Sequence, residues 1–261
     1  EGVLVHAETI RRKGECGNAM GLYESLISRS DLPRNVWFLA NIGIVHCIKR
    51  KGDPLEALKH LELVEGKIED RLKLAYLKEV KADIMALVGN NEEAERLFRS
   101  SVSTFEHYKH SLLLFMGYNN WGVLKYNSGS YELAEMMWKK AMIHANEAKS
   151  QPAKAIVLCN LSSIDSYYNR FEDAERKLKR AEHIFTERKD QEGISLIEYN
   201  RAILNLEKGM IDHAFDHYLR SFKVAYPLPF ELERMERKKQ FNVRTMRKLY
   251  IGVGRRREKV G

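Results

Sequence analysis

Residues that favour a chain reversal recur along the sequence at nearly constant intervals. Five are glycines and one is an asparagine, and successive members lie 38, 37, 40, 40 and 40 residues apart. Both residue types readily adopt the left-handed backbone conformation that often ends a helix. The pattern therefore predicts six chain reversals of one kind, at Gly14, Gly52, Gly89, Gly129, Asn169 and Gly209.

A set of three residues follows each predicted reversal at fixed spacing. An alanine stands five residues later, a large apolar residue comes after four more, and a small or apolar residue after another three. Spacings of four and three keep side chains on one side of an α-helix, and the alanine lets a neighbouring helix approach closely. The sets are Ala19, Tyr23 and Leu26; Ala57, Leu61 and Val64; Ala94, Phe98 and Ser101; Ala134, Trp138 and Ala141; Ala174, Leu178 and Ala181; and Ala214, Tyr218 and Ser221.

These observations predict an all-α chain made of helix–turn–helix hairpins, each with one apolar side. A single hairpin cannot bury that side, so neighbouring hairpins must stack. The series resembles the tetratricopeptide repeat family, most clearly in the fourth hairpin, where Trp121 and Gly122 precede the reversal at Gly129. The family repeat is about 34 residues long. This chain is similar to a long-repeat type of about 40 residues, with roughly one more helical turn in each repeat.

The resemblance implies a right-handed superhelical solenoid whose first helices line a concave surface. About six repeats are expected, followed by a capping helix at residues 230–250 and a basic, disordered tail at residues 251–261. The expected repeat boundaries are 1–33, 34–69, 70–110, 111–150, 151–190 and 191–228.

Three asparagines stand nine residues before the last three reversals, at Asn120, Asn160 and Asn200. In the family this position on the first helix faces the groove, so the resemblance implies a ladder of amides on the concave wall. An asparagine side chain offers one acceptor and two donors, which the backbone of an extended peptide can satisfy. The equivalent positions in repeats two and three are Gly43 and Val80, which confines the predicted groove to the C-terminal half.

Further candidate lining residues stand beside the ladder, one position before it or three and seven positions after it. Two alternatives remain for the asparagines. They can instead join adjacent helices at a seam, or belong to a carboxylate-binding clamp of the kind found in chaperone-binding tetratricopeptide domains. The clamp pattern is not met, because Lys125 and Lys154 are the only bases nearby. The further candidates are Asn119, Cys159, Tyr199, Ser163, Asn127, Tyr167 and Glu207.

The basic charge of the chain is concentrated at its end. The net charge is +8, but residues 230–261 hold eleven Lys/Arg and four Asp/Glu, which leaves +1 for residues 1–229. Any contact with nucleic acid, an anionic membrane or an acidic protein is therefore assigned to the tail around Arg255, Arg256 and Arg257. The competing interpretation is a solvated cap with a flexible basic end.

The sequence contains none of the common catalytic or cofactor motifs, such as a P-loop, GxGxxG, GxSxG or HExxH. His213 and His217 have a spacing that can chelate a metal, but no third ligand supports them, and a solvated charged face is the preferred interpretation. We therefore predict that the protein is not an enzyme and needs no cofactor or metal.

The cysteines and the hydropathy profile indicate a reducing, aqueous environment. Cys16, Cys47 and Cys159 are odd in number and widely spaced, which fits neither a disulfide framework nor a zinc site. They are expected to be small buried residues. No run approaches the ~18 apolar residues of a membrane span, so a cytoplasmic location is expected. The chain begins at Glu1 rather than Met, which is also compatible with an upstream domain or a cleaved leader.

Two functions from different classes fit this sequence. The first is a protein–protein interaction scaffold that binds a partner peptide or segment in the groove of the C-terminal repeats. The alternative is a ligand- or peptide-sensing regulatory domain of a signalling protein or transcription regulator, which a DNA-binding or ATPase segment before Glu1 would favour. Nucleic-acid contact through the tail is a third hypothesis.

Overall fold

The computed structural model describes residues 2–225, which form twelve α-helices and no β-strand. The all-α class predicted from the sequence is therefore confirmed. The predicted capping helix and basic tail lie outside the described residues. The helices are α1 (Gly2–Arg12), α2 (Cys16–Ile27), α3 (Arg34–Lys51), α4 (Pro54–Glu65), α5 (Arg71–Leu87), α6 (Asn91–His107), α7 (Ser111–Asn127), α8 (Tyr131–Glu147), α9 (Gln151–Tyr167), α10 (Phe171–Glu187), α11 (Gln191–Glu207) and α12 (Ile211–Ala225).

Consecutive helices pair into six hairpins, and the hairpins group into two compact units. Unit N contains α1 to α6 (residues 2–110), and unit C contains α7 to α12 (residues 111–225). Within unit C, the first helix of each hairpin also packs against the first helix of the next, α7 against α9 and α9 against α11. Helices α7, α9 and α11 thus form one layer, against which α8, α10 and α12 pack.

The backbone is left-handed at all six predicted reversals. Its φ angle is 58° at Asn169 and between 75° and 93° at the five glycines. At Gly52, the backbone N–H donates to the carbonyl oxygens of Ile48 and Lys49, which closes the last turn of α3. The predicted role of these positions is confirmed.

Three of the turns that join one hairpin to the next use left-handed residues that are not glycines. Lys109, Lys149 and Lys189 have φ angles of 49°, 51° and 53°, and they stand 40 residues apart. Ser150 and Asp190, which directly follow two of them, each accept a hydrogen bond from a backbone N–H in the first turn of the next helix. Sequence reasoning missed these turns, although the same 40-residue interval carries them.

The three-residue sets predicted to join the helices of each hairpin are buried. All six alanines have no solvent exposure, and the large residues four positions later are at most 2% exposed. At Gly122 in α7, an added methyl group would lie 2.5 Å from Nε1 of Trp138. That indole N–H donates to the backbone oxygen of Asn119 at 3.0 Å. A glycine is therefore required where α7 and α8 cross.

Candidate functional site

The candidate site is a stripe of side chains on the first helices of unit C, at five positions that recur every 40 residues. The spacings of four, four, three and four residues keep these positions on one side of each helix. We call this set the first-helix stripe. It consists of Leu112, Met116, Asn120, Val123 and Asn127 on α7; Pro152, Ile156, Asn160, Ser163 and Tyr167 on α9; and Glu192, Leu196, Asn200, Ile203 and Glu207 on α11.

Exposure of the stripe falls from α7 to α11. Leu112 and Val123 on α7 are 44% and 36% exposed, whereas Asn200 and Ile203 on α11 are 2% and 4% exposed. Asn120, like the other stripe residues of α7, is at least partly exposed. The most exposed positions of the stripe therefore lie on α7 and α9.

Amide groups join α7 to α9 beside the stripe. The Nδ2 of Asn160 donates to Oδ1 of Asn119 at 2.8 Å, and the Nδ2 of Asn119 donates to Oδ1 of Asn120 at 3.1 Å. Asn119 is buried, while Asn120 and Asn160 are partly exposed. Asn160 thus contacts the neighbouring helix, Asn120 extends the same chain of hydrogen bonds along α7, and both amides border the solvent.

A second set of hydrogen bonds joins α9 to α11. The hydroxyl of Ser163 donates to Oδ1 of Asn200 at 2.6 Å, and the Nδ2 of Asn200 donates to the backbone oxygen of Leu196 at 2.8 Å. Burial raises the pKa of the nearby Tyr126 phenol on α7, with the phenol of Tyr199 as a smaller cause in the same direction. Ser163 and Asn200 thus join α9 to α11.

Aromatic rings form the exposed end of the stripe at the hairpin turns. Tyr167 is 42% exposed, and its ring centroid lies 3.9 Å from that of Tyr131 at the start of α8. The hydroxyl of the adjacent Tyr168 donates to Oε1 of Glu132 at 2.7 Å. These contacts join the turn of the fourth hairpin to that of the fifth and present flat apolar surface beside the amides.

The structure brings all of the predicted site residues into the layer of α7, α9 and α11 but gives them different environments. Asn127 and Tyr167 are exposed, and Asn120, Asn160, Tyr199 and Glu207 are partly exposed. Four others face neighbouring helices and are buried, namely Asn119, Cys159, Ser163 and Asn200.

Sequence reasoning missed the apolar members of the stripe on α7 and α9. Leu112, Met116, Val123 and Ile156 stand at the same helical spacing as the asparagines. The hydrophobic pattern of α7 could not identify them, because apolar residues occur on every side of this helix. In unit N, the positions equivalent to the ladder hold Gly43, where a methyl group would meet the ring of Tyr23 at 2.4 Å, and the buried Val80.

One of the two histidines of the sixth hairpin, His217, hydrogen-bonds a carboxylate. Nδ1 of His217 lies 2.8 Å from Oε2 of Glu198, to which Nε of Arg220 also donates at 2.8 Å, and His213 is exposed. Over residues 2–225, no group of three or more His, Cys, Asp or Glu side chains is placed to hold a metal ion. None of the helices in this part of the chain is long and apolar enough to cross a membrane.

Comparison with known proteins gives matches at the level of structure. No protein-family model matches the sequence, and no curated protein matches it.

Three solved structures share the fold over most of their length. RapI in its apo form is 12% identical with a TM-score of 0.57, and the match covers 90% of this chain and 98% of RapI. A Rap protein complexed with competence and sporulation factor is 16% identical with a TM-score of 0.56, covering 97% and 82%. BtubC (BKLC) from P. vanneervenii is 13% identical with a TM-score of 0.55, covering 84% and 94%. These matches support the tetratricopeptide-like helical-repeat fold predicted from the sequence, and at such identities they show the fold alone.

Proposed function

We propose that this protein is an interaction module that binds an extended segment of a partner protein along the first-helix stripe of α7 and α9. The observation that carries the proposal is the combination of partly exposed amides, at Asn120 and Asn160, with partly exposed apolar side chains four residues before them, at Met116 and Ile156. Amides can pair with the peptide backbone, and the apolar side chains can contact alternate side chains of the partner.

The charge of the stripe narrows the kind of partner. None of its ten positions on α7 and α9 is charged, whereas the α11 positions include Glu192 and Glu207. An uncharged surface that mixes amide and apolar groups favours a segment with apolar anchors over an acidic or a phosphorylated one. Such a segment would contact Leu112 and Val123 with its side chains.

The structural matches add support of a general kind. One of the matched structures is a Rap protein complexed with competence and sporulation factor. A chain with this fold therefore binds another molecule in that case. For the present protein, the stripe is the surface that we assign to such a role.

The test compares substitutions on the stripe with matched substitutions on another exposed face. The stripe variant carries Met116→Glu and Val123→Glu. The control variant carries Leu133→Glu and Met136→Glu on α8, where the side chains of Leu133 and Met136 are each more than 40% exposed. Partners captured from native lysate by the wild type are identified, and the affinity of the purified partner segment is measured by calorimetry.

We expect the stripe variant to bind at least about tenfold more weakly, because buried carboxylates would replace apolar anchors. The control variant should bind like the wild type. Equal binding by the stripe variant and the wild type, with circular dichroism unchanged, would exclude the stripe as the binding surface.

A further inference from the structure

The first two hairpins of unit N each carry three consecutive cations at the C-terminal end of their first helix. The two runs occupy equivalent positions, because each stands directly before the left-handed glycine of its hairpin, Gly14 or Gly52. We call this surface the basic edge. It consists of Arg11, Arg12 and Lys13 at the end of α1, and of Lys49, Arg50 and Lys51 at the end of α3.

The helix dipole alone does not account for the two runs. Cations in the last turn of a helix are favoured by the partial negative charge of its carbonyl groups. However, the three positions before the reversal carry no cation in the hairpins of α5, α7 and α9, and a single one, Lys208, in that of α11. Three cations in succession are therefore a property of the first two hairpins.

Contacts between these hairpins bring the two runs together. Helix α1 packs against α3, and Nη1 of Arg50 donates to the backbone oxygen of Arg11 at 3.1 Å. Nζ of Lys51 lies 3.6 Å from Sδ of Met20 on α2. Because the axes of packed helices lie roughly 8–10 Å apart, the basic edge is about 10 Å wide from one run to the other.

Fewer carboxylates than cations lie at the basic edge. One carboxylate pairs with two cations of α1, and another pairs with one cation of α3. Two more directly follow the two glycines, so six cations face four carboxylates and a surplus of two positive charges remains. The four carboxylates are those of Glu8, Asp83, Glu15 and Asp53.

The electrostatic field of the cations is felt by a histidine in the same helix. The pKa of His46 in α3 is lowered to about 3, first by burial and then by the positive charges of Lys49 and Arg11. Asp83 and Glu8 raise the pKa of His46, but each has a smaller effect than either cation. The field at this end of α3 is therefore positive even with both carboxylates in place.

Three cations of the basic edge are accessible from solvent. The side chain of Arg12 is 60% exposed, and Lys13 and Lys51 are also exposed. Arg11 and Lys49 lie deeper, with 17% and 24% of their side chains exposed. An anion that approaches from solvent therefore meets Arg12 and the two lysines first.

The size and composition of the basic edge distinguish between kinds of anionic ligand. Neither run, nor the turn that follows it, contains an aromatic residue on which a base of single-stranded nucleic acid could stack. The row of cations also ends after two helices, because α5 carries none at the equivalent positions. A width of about 10 Å corresponds to about three residues of extended polypeptide, at ~3.3 Å per residue. Carboxylates are groups that arginine binds through two parallel hydrogen bonds.

We infer that the basic edge of unit N binds a run of aspartate and glutamate residues in an extended segment of a partner protein. The carboxylates of that segment pair with Arg12, Lys13 and Lys51, and the deeper cations add to the attraction. The basic edge differs in charge from the first-helix stripe of unit C, whose positions on α7 and α9 are all uncharged. Binding at the basic edge therefore does not depend on binding at that stripe.

The test measures the binding of a fluorescein-labelled hexaglutamate peptide to the full chain by fluorescence anisotropy. The edge variant carries Lys13→Glu and Lys51→Glu, which turn the surplus of two positive charges into an excess of two negative ones. The control variant carries Lys59→Glu and Lys67→Glu, which make the same change at two exposed lysines elsewhere in unit N. All three proteins keep residues 230–261, so any binding by that basic segment is common to them.

We expect the edge variant to bind hexaglutamate at least about tenfold more weakly than the wild type at low ionic strength, because repulsion replaces attraction at two exposed positions. The control variant should bind within about twofold of the wild type. In ~1 M salt, where the Debye length is about 3 Å, the difference between the edge variant and the wild type should largely disappear. Equal binding by the edge and control variants with unchanged circular dichroism, or no binding by the wild type at low ionic strength, would overturn the inference.

Two further variants guard against an effect on folding. Lys13→Arg combined with Lys51→Arg keeps both charges and should bind like the wild type. Lys13→Ala combined with Lys51→Ala removes the charges without reversing them and should weaken binding by at least about threefold. Wild-type affinity in the folded alanine variant would contradict a role for the two lysines.

A labelled oligothymidylate of six nucleotides distinguishes an acidic protein segment from nucleic acid. Its negative charge is similar to that of hexaglutamate, but its bases need surfaces on which to stack. The edge variant should therefore lose less affinity for the oligonucleotide than for hexaglutamate. An equal or larger loss for the oligonucleotide would identify nucleic acid as the ligand of the basic edge, and the inference would be wrong.

Discussion

Units N and C are built from the same hairpin, yet their first helices differ in how polar groups are placed. In unit C, amides and a hydroxyl join α7 to α9 and α9 to α11, through Asn119 with Asn160 and Ser163 with Asn200. In unit N, the equivalent ladder positions are Gly43 and Val80, which carry no polar side chain. The recurring alanines and large residues therefore determine the hairpin. The contacts between neighbouring first helices depend on other residues, which differ between the two units.

Helix length accounts for part of this difference. The first helices of unit C, α7, α9 and α11, all contain 17 residues, whereas those of unit N, α1, α3 and α5, contain 11, 18 and 17. Equal lengths bring equivalent positions on successive first helices to the same level. An amide on one helix can then reach a partner on the next, which irregular lengths do not ensure.

The largest expected effect compares one tryptophan from each unit. Trp138 in unit C is almost completely buried and donates to the backbone of α7. Trp138→Ala should lower the free energy of unfolding by about 3–5 kcal/mol, because it leaves a large cavity. Urea denaturation followed by circular dichroism measures the change.

Trp37 in unit N provides the matched control. It is partly exposed, and Nζ of Lys67 lies 5.4 Å from its ring centroid. Trp37→Ala should lower the free energy of unfolding by less than half as much as Trp138→Ala does. A comparable loss for both variants would show that the two tryptophans support their units equally.

The second prediction concerns the side chains between neighbouring first helices. One substitution removes an amide from unit C, and the other introduces an amide into unit N. Asn200→Ala should lower the free energy of unfolding by about 1–3 kcal/mol, because the buried hydroxyl of Ser163 loses its acceptor. Val80→Asn should have a cost of similar size, since the amide would enter an apolar environment. Asn127→Ala on the exposed surface serves as the control and should change the free energy by less than about 0.5 kcal/mol.

Double-mutant cycles sharpen this prediction. If Ser163 and Asn200 act as a pair, Ser163→Ala combined with Asn200→Ala should cost less than the sum of the two single changes. Additive costs would mean that the hydrogen bond contributes little to the seam.

The smallest effect concerns an ion pair at the start of unit N. Burial alone would raise the pKa of Glu8, but hydrogen bonds from Arg11, Arg12 and Tyr23 outweigh it and hold the value at about 2, below the ordinary 4.5. Glu8 therefore stabilises the folded state above pH 4.5, and this contribution is lost as the pH falls from there toward 2. Because the carboxylate is about one-third exposed, we expect a loss of about 1 kcal/mol.

The measurement is the difference in unfolding free energy between the wild type and Glu8→Gln at pH 7 and at pH 3. This difference should shrink at pH 3, where the carboxylate of the unfolded chain is protonated. A difference that does not change with pH would show that Glu8 contributes only through packing. Tyr23→Phe removes one of the hydrogen bonds to Glu8. The loss of unfolding free energy of this variant between pH 7 and pH 3 should lie between the losses of the wild type and of Glu8→Gln.

Much of the fold follows from the sequence because the hairpin is a local structure. The reversal at Gly52, the alanine at Ala57 and the large residue at Leu61 lie within ten residues of one another, so their spacing alone predicts the contact. The left-handed lysines were harder to foresee, since lysine has no particular preference for that conformation. Only their 40-residue interval identifies Lys149 and Lys189.

The environment of each site residue depends on contacts between hairpins, which spacing does not reveal. Asn120 and Asn200 occupy equivalent positions, yet one is partly exposed and the other is buried. The burial of Cys16 and Cys47 in one core cluster likewise results from the packing of the first hairpin on the second. Residue spacing had suggested only that each cysteine is a small buried residue.

The regular turns of unit C have a consequence for how such a chain can be rebuilt. Residues 111–150 and 151–190 have helices of the same length, and both end in a left-handed lysine followed by a residue that caps the next helix. Residues 151–190 thus have the same type of connection before and after them. Residues 151–190 have the properties of a modular cassette, and a duplicate placed after Asp190 would extend the array by one hairpin without a new type of joint.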